Sequence, residues 1–447
     1  MRPGPLALAI GVVVAASPAA WAQMQLVTSA QTLSSAQGLS LESLAAGTGR
    51  QLSMKGLASG LKLGDEAILH AGLFADIGYD TNVFYSPSDG VKPSAVMRVG
   101  PRLEITNAER DGSVPQGTYY YVTGGVDWIK YLTSDGEITH QDALNPTLAG
   151  MVEFSSGQVV AVTLSDTFSR YQQAPYAVGD PITRDQNMAT LGVRYAPGGG
   201  RLRLSLRYDN LIDKYEGAYD RGSNMGNEVV LDIGWRFLPK TSVYVQAAQG
   251  LVTYFNTGDP NNPNVNSYPL RTLAGLRGLI TEKLSLNLAA GYSNAFYASG
   301  DTPSGWGNLG VVTELGYQID LLSRAGIGYR HDFANSPFVG RFYNVDAVYG
   351  VYQQMIAARV VAYLYGRYEN RRFGNETNRT DNYLMGGVSL DYMIGKFLLA
   401  GASYSLSLNR TDQPAPAPTP GVPAPTPASA GFDYTKHILL FRLGVVY

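Results

Sequence analysis

Apolar and polar residues alternate with a period of two along most of the chain from Leu69 onward. Between Arg201 and Asp209, Leu202, Leu204, Leu206 and Tyr208 fall on one side of an extended backbone, while Arg203, Ser205, Arg207 and Asp209 fall on the other. Val229, Leu231, Ile233, Trp235 and Phe237 oppose Glu228, Asp232, Gly234 and Arg236 in the same way. Leu284, Leu286, Leu288, Ala290 and Tyr292 oppose Ser285, Asn287 and Gly291, and Leu384, Val388, Leu390 and Tyr392 oppose Ser389 and Asp391. The pattern ends on an unbroken apolar row, Leu439, Phe441, Leu443, Val445 and Tyr447, whose last member is aromatic. Each segment predicts a β-strand with one apolar face. At about nine to fifteen residues the segments exceed the five or six usual in soluble sandwiches, and they suit strands that cross a bilayer at a tilt.

The connections sharpen this expectation. Every second one is a tight turn: Ser155-Ser156-Gly157, Pro197-Gly198-Gly199-Gly200, Leu238-Pro239-Lys240-Thr241, Thr281-Glu282, Asp320 to Ser323, and Gly395-Lys396. Those between them are longer and polar: Gln172 to Thr183, Glu216 to Gly226, Asn256 to Tyr268, Ser299 to Ser304, Asn370 to Asp381, and Asn409 to Gly431. Short periplasmic turns alternating with long extracellular loops are the rhythm of bacterial outer-membrane barrels. Asn107 to Gln116 departs from it, being long where a short turn is due. The expected fold is all-β, a transmembrane antiparallel up-and-down β-barrel of about eighteen strands over residues 69–447. Leu439 to Tyr447 is then its closing strand, paired near Leu69 to Gly78 so that no edge is left in lipid. Leu439, Phe441, Leu443, Val445 and Tyr447 also form the expected recognition signal for the barrel assembly machinery.

The residues ahead of the barrel divide in two. Arg2, the apolar run Leu6 to Ala16, and the small-x-small site Ala20-Trp21-Ala22 make residues 1–22 an expected signal peptide, cut before Gln23. Residues 23–68 form a polar extension rich in Ser, Ala, Gln and Gly, expected to be a periplasmic tail or a plug in the lumen. Nowhere does the chain offer the roughly eighteen apolar residues that a membrane-spanning helix needs. The absence of cysteine excludes thiol catalysis, thiolate metal sites and disulfides. Thirty tyrosines, 51 glycines and 16% charged residues suit aromatic girdles and close-packed walls facing lipid. A net charge of −2 argues against nucleic acid, which would call for a basic stripe. Gln413 to Pro427 reads as an extended polyproline spacer within a loop.

Catalytic chemistry finds little support. Four histidines, His70, His140, His331 and His437, are scattered without metal-ligand spacing, and Gly-x-Ser-x-Gly does not occur. The expectation is a protein without enzymatic activity or cofactor. A charged interior is predicted instead, because these side chains cannot face hydrocarbon, where Arg or Lys at mid-depth costs ~2–4 kcal/mol. The face opposite the lipid row holds Arg98, Arg102, Glu104, Asp127, Arg203, Arg207, Asp209, Glu228, Asp232, Arg236, Arg271, Arg277, Glu314, Arg330, Asp332, Asp346, Arg359, Arg367 and Glu369. One reading makes these a mutually neutralising lining of a wet lumen. The other joins the arginines with Tyr121, Tyr363 and Tyr365 in a track that hydrogen-bonds and stacks on sugars.

Gly78-Tyr79-Asp80-Thr81-Asn82-Val83-Phe84, at the end of the first strand, resembles a pattern of β-barrel porins found with exopolysaccharide synthesis and export systems in Gram-negative bacteria. That resemblance implies an outer-membrane conduit for a secreted polysaccharide, working with a periplasmic export protein and an inner-membrane co-polymerase. Read from the residues alone, Asp80 and Asn82 make a turn at the barrel rim or a contact to sugar. A diffusion porin or uptake channel for small solutes is the alternative, followed by a barrel enzyme and a structural barrel.

Overall fold

The computed structural model describes residues 60–64, 67–87, 90–107, 117–173, 182–256, 264–298, 308–320, 322–336, 342–356, 359–374, 379–412 and 433–447. The expected signal peptide, nearly all of the polar extension, most of Asn107 to Gln116 and the polyproline stretch lie outside the described residues.

A three-residue strand, β1 (Leu61–Leu63), precedes the wall. Its first third is β2 (Ala67–Asp80), β3 (Ser94–Thr106), β4 (Gly117–Tyr131), β5 (Ala143–Ser156), β6 (Val160–Gln173) and β7 (Ile182–Tyr195). The second is β8 (Leu202–Tyr215), β9 (Asn224–Leu238), β10 (Thr241–Tyr254), β11 (Leu270–Leu279), β12 (Leu284–Asn294) and β13 (Leu309–Gln318). The last is β14 (Ser323–Asn335), β15 (Phe342–Ile356), β16 (Val360–Phe373), β17 (Thr380–Ile394), β18 (Leu398–Thr411) and β19 (Tyr434–Val446). Each pairs antiparallel with the next, and β19 returns to β2 with Phe441 opposite Ile77 and Val445 opposite Leu73. Eighteen strands thus close an antiparallel barrel.

The seam lies slightly beyond the predicted segment, joining Gly72–Asp80 of β2 to β19. Tyr447 and Ala71 exchange backbone hydrogen bonds of 2.8 and 3.1 Å, and β1 then takes over the remaining edge of β2, pairing Leu61 with Leu69 and Leu63 with Ala67. Without β1, that stretch of β2 would present unpaired backbone groups below the end of β19.

Because paired residues share a face, the register carries one assignment of inside and outside around the whole ring. Starting from Leu443, which is 66% exposed, the outer row passes through Ile77, Leu103, Leu148, Leu191, Leu206, Leu231, Val245, Leu288, Leu315, Ile327, Val348, Leu364 and Val388, all exposed. An apolar exterior of this extent is unsuited to water and is what a barrel in lipid requires. Trp235, Phe237, Tyr195, Tyr317, Tyr392, Phe397 and Tyr447 mark its tight-turn edge, where Phe397 stacks on Tyr447 with centroids 5.8 Å apart. Toward the long-loop edge, tyrosines hand over to polar groups. Tyr208 donates to Asn227 at 2.6 Å beside Asn210, and Tyr368 donates to Asn382 at 2.6 Å beside Asn370. These two edges have the placement of interfacial girdles.

The tight turns follow from local chemistry. After Pro197, Gly198 and Gly199 take φ of 61° and 67°, a region glycine enters without steric cost. At the opposite end the wall is uneven. β11, β12 and β13 have only 10, 11 and 10 residues, against 13 in β14 and 15 in β15. β14 therefore rises past its neighbour beyond His331, and the charges described next bridge that step.

Candidate functional site: the charged lumen

The register puts Arg98, Arg102, Glu104, Asp127, Arg203, Arg207, Asp209, Glu228, Asp232, Arg236, Arg271, Arg277, Glu314, Arg330, Asp332, Arg367 and Glu369 on inward rows. Tyr121, Tyr363 and Tyr365 share those rows. Two predicted residues do not. Asp346 lies on the outer row of β15 with Val348, accepting from Tyr329 at 2.7 Å, within 2.8 Å of His331 Nδ1 and 3.5 Å from Arg372. Its inward neighbours Tyr343, Val345, Ala347 and Tyr349 are apolar or aromatic and buried, so in β15 charge misreports the face. Arg359 stands in the turn before β16, where its carbonyl accepts from Met393 N.

Over the middle of the wall and down to the tight turns, the inward charges form separate pairs. Asp76 sits in the ladder between Arg98 and Arg442 and takes Arg442, at 2.7 and 3.1 Å. Arg98 buries its Nε without an acceptor among the described residues. Arg102 grips Asp127 with contacts of 2.6 Å, and Arg277 grips Asp232 at 2.7 and 3.2 Å. Glycines make room for the larger groups. A Cβ at Gly328 would stand 2.3 Å from the Tyr349 ring, and Tyr349 in turn donates to Glu314 at 3.0 Å. Tyr365 lies against Gly387 in the same manner, flat along the wall.

Toward the long loops the charges are buried and denser. Arg271 of β11 reaches over the short β13 to Asp332 of β14 at 3.2 Å, Ser293 donates to Asp332 at 2.6 Å, and Glu228 lies 3.8 Å from Arg271. Arg330 approaches the same carboxylate at 3.4 Å. Arg184 binds Asp213 between the rings of Tyr171 and Tyr215. Glu369 is shared by Arg367 and Arg371, and Arg379 binds Asp381. Several of these pairs are two residues apart on one strand, a spacing that puts both charges on the same face.

The segment after β2 enters this layer. Asn82 N donates to Asp80 at 3.0 Å, Asn82 Nδ2 donates to Ser86 O at 2.7 Å and to Thr435 O at 3.1 Å, and Ser86 N donates back to Asn82 Oδ1 at 2.9 Å. Both polar groups singled out in the sequence are thereby consumed by a turn at the rim. What that turn presents is Tyr85, held at φ 57°, its ring 4.0 Å from Lys436 Nζ and 5.2 Å from the Tyr434 ring. Burial, with Asp80 adding to it and Arg98 opposing it, holds the Tyr85 phenol well above its usual pKa, so it stays a neutral donor.

Alternation, which already set Asp391 opposite Leu390 and Tyr392, would also have yielded Asp76, Asp80, Lys436 and Arg442, since each is flanked by outward residues such as Phe441 and Leu443. Arg184, Arg371, Arg379 and Asp381 were missed for another reason: they sit at strand ends, where polar residues occupy both faces. Among the described residues, no three His, Asp or Glu side chains converge as metal ligands.

A closed barrel with an apolar exterior, aromatic edges and a charged interior defines the class as a transmembrane β-barrel. The chain matches no family model and no curated protein. Among solved structures it is similar to the ferric enterobactin receptor PfeA of Pseudomonas aeruginosa, at 8% identity over 86% of this chain and 81% of that one, TM-score 0.43. It is also similar to the Acinetobacter baumannii siderophore receptor PirA, at 9% identity, 87% and 81% coverage and TM-score 0.42. A third likeness is to A. baumannii OccAB3, at 11% identity, 85% and 99% coverage and TM-score 0.43.

Proposed function

We propose that this protein is an outer-membrane channel that conducts a secreted exopolysaccharide, with the long loops outside the cell and the tight turns in the periplasm. The observation that carries the reading is the pairing of a lipid-facing exterior with inward rows of arginine and tyrosine running from Arg442 and Arg102 to Lys436 and Tyr85. Such a wall offers a hydroxyl-rich chain hydrogen-bond donors and ring faces while keeping it out of hydrocarbon. The Tyr79 to Phe84 resemblance supplies the polysaccharide. In this reading polymer synthesis drives transport, a periplasmic export protein and an inner-membrane co-polymerase deliver the chain, and residues 23–66 face those partners. No chemistry is performed on the cargo.

A clean chromosomal deletion scored for surface and secreted polysaccharide tests this. Loss of the polymer with normal growth supports export. Unchanged polymer with slowed growth on one nutrient would transfer the assignment to a small-solute porin. Reconstituted protein tests the lining separately: Arg203→Glu with Arg207→Glu should move the reversal potential toward cation preference, and an unmoved potential would remove these residues from the conducting path.

A further inference from the structure

The outer wall builds one small unit twice. On β8 and β9, Tyr208 Oη and Asn210 Nδ2 both donate to Asn227 Oδ1, at 2.6 and 2.9 Å. On β16 and β17, Tyr368 Oη and Asn370 Nδ2 both donate to Asn382 Oδ1, at 2.6 and 3.1 Å. The sequence carries the repetition as Arg207-Tyr208-Asp209-Asn210 and Arg367-Tyr368-Glu369-Asn370, with arginine and acid inward and tyrosine and asparagine outward. The surroundings differ. Ile212 stands two residues beyond Asn210, and Leu251 faces Asn227 in the ladder, the two being 38% and 37% exposed. The same two places beside the second unit hold Arg372 and Arg410. Since the first unit forms between apolar neighbours, the wall itself has no need of arginine there.

Arg372 donates through Nε to Asn370 Oδ1 at 2.9 Å and comes only within 3.5 Å of Asp346; its side chain is 60% exposed, and no described residue takes its Nη1. Arg410, also exposed, is steered by the neighbouring strand end, Nη1 donating to Tyr434 O at 2.9 Å and Nη2 to Thr435 Oγ1 at 2.9 Å. Those partners are neutral and leave its charge in place. The carboxylates beside the pair are engaged: Asp346 accepts from Tyr329 at 2.7 Å and lies 2.8 Å from His331 Nδ1, and Asp412 accepts from Thr380 N at 2.8 Å. Asn382 commits its Oδ1 to Tyr368 and Asn370, while its Nδ2 has no partner among the described residues. Asn370 and Arg372 follow Tyr368 by two and four residues, about 7 and 13 Å along the strand, where an aromatic girdle gives way to lipid headgroups.

We propose that Arg372, Arg410 and Asn382 form a site on the lipid-facing wall for the phosphorylated sugar headgroup of an outer-leaflet glycolipid. The two arginines meet the phosphate through charge-assisted bonds, the Asn382 amide donates to a sugar or phosphate oxygen, and the Tyr368 ring marks the boundary with the acyl chains. A lipid fits this place better than a soluble anion, because the wall directly below it, through Leu364 and Val388, is apolar and exposed. The inference rests on the orientation in the conduit reading, long loops outward, and not on the cargo.

The test is native mass spectrometry of the full-length protein in detergent, with bisphosphorylated lipid A, its dephosphorylated form and phosphatidylglycerol as probes. The wild type should retain a single bisphosphorylated lipid A at concentrations where neither of the others stays bound. Arg372→Gln with Arg410→Gln should weaken that retention about tenfold or more. Ile212→Arg with Leu251→Arg should add a second bound lipid A by recreating the site on β8 and β9, which decides the matter independently of how the glutamine variant folds. Equal retention of phosphatidylglycerol or of the dephosphorylated form would overturn the proposal, as would unchanged retention in the glutamine variant or no second lipid in the arginine-gain variant. Polysaccharide unaffected by deletion of the gene would refute the conduit and leave this site standing, whereas a wild type that bound no lipid A would remove the site and leave the conduit.

Discussion

Lys436 closes on Asp80 across the seam where the last strand meets the first, with Nζ 2.7 Å from Oδ2 and both side chains buried. The same ammonium donates to Asn82 O at 2.9 Å and faces the Tyr85 ring, so one cation joins barrel closure to the inward turn. Removing one partner of a buried pair leaves an uncompensated charge, typically at a cost of ~3–5 kcal/mol. Lys436→Met should therefore destabilise the barrel by about that amount, and Lys436→Met with Asp80→Asn by clearly less. Urea unfolding followed by the gel-mobility difference between folded and unfolded barrel measures both. Additive losses would show that the two side chains are not coupled.

Leu206 and Arg207 are consecutive yet face opposite media. Leu206 is 52% exposed on the outer row, whereas Arg207 is turned inward, 2.8 Å from Asp209. Leu206→Arg should cost ~2–4 kcal/mol in lipid, the penalty for a cation toward mid-depth. Arg207→Leu should leave lipid contacts alone and act through the orphaned Asp209, shifting conductance toward cations. The contrast is read by folding titrations into vesicles beside single-channel recordings. A mild Leu206→Arg would mean that this face does not contact hydrocarbon.

Tyr349 depends on the absence of a side chain at Gly328. Gly328→Val would drive the ring off the wall and break its bond to Glu314, an overpacking change costing about 1–3 kcal/mol. Gly366, whose Cβ position is open, should accept alanine with a small loss from the same measurement. Equal losses at both sites would show that ring packing is not what Gly328 provides.

The barrel itself was legible because alternation is a property of each strand, and eighteen strands repeat it. Leu439 to Tyr447 is the clearest case, since its outer row is apolar throughout while Arg442 alone interrupts the inner one. Partner choice was not legible. Asp76 has Arg98 and Arg442 as ladder neighbours on its two sides, and the sequence holds nothing that selects Arg442. Asp346 failed for the opposite reason: the inward row of β15 from Tyr343 to Val351 is itself apolar, so both faces look alike. The role of Asp80 and Asn82 became clear only with Thr435 and Lys436, more than 350 residues away in sequence.

The far side of the Tyr85 segment is clasped at the surface, and its chemistry predicts a pH response. Lys92 reaches Asp135 at 3.3 Å and Glu137 at 2.5 Å, and Asp135 caps the short helix α1 (Gly136–Thr139) by accepting from Glu137 N at 2.9 Å. That backbone donor, together with Lys92, holds the Asp135 carboxyl below its usual pKa, and the Glu137 carboxylate holds Lys92 above its own. A lowered carboxylate contributes fully above its unfolded pKa, about 3.9, and its contribution fades as pH falls through the folded value. The raised lysine contributes fully below its ordinary range, so the clasp should be constant through neutral pH. The chain has no cysteine, so Gly90→Cys accepts a single spin label. Its spectrum should stay unchanged from about pH 5 to 9, then sharpen below about pH 3.9, and sharpen also in 1 M salt, where screening falls to about 3 Å. Identical spectra at pH 3 and pH 7 would show that Lys92 does not hold this segment.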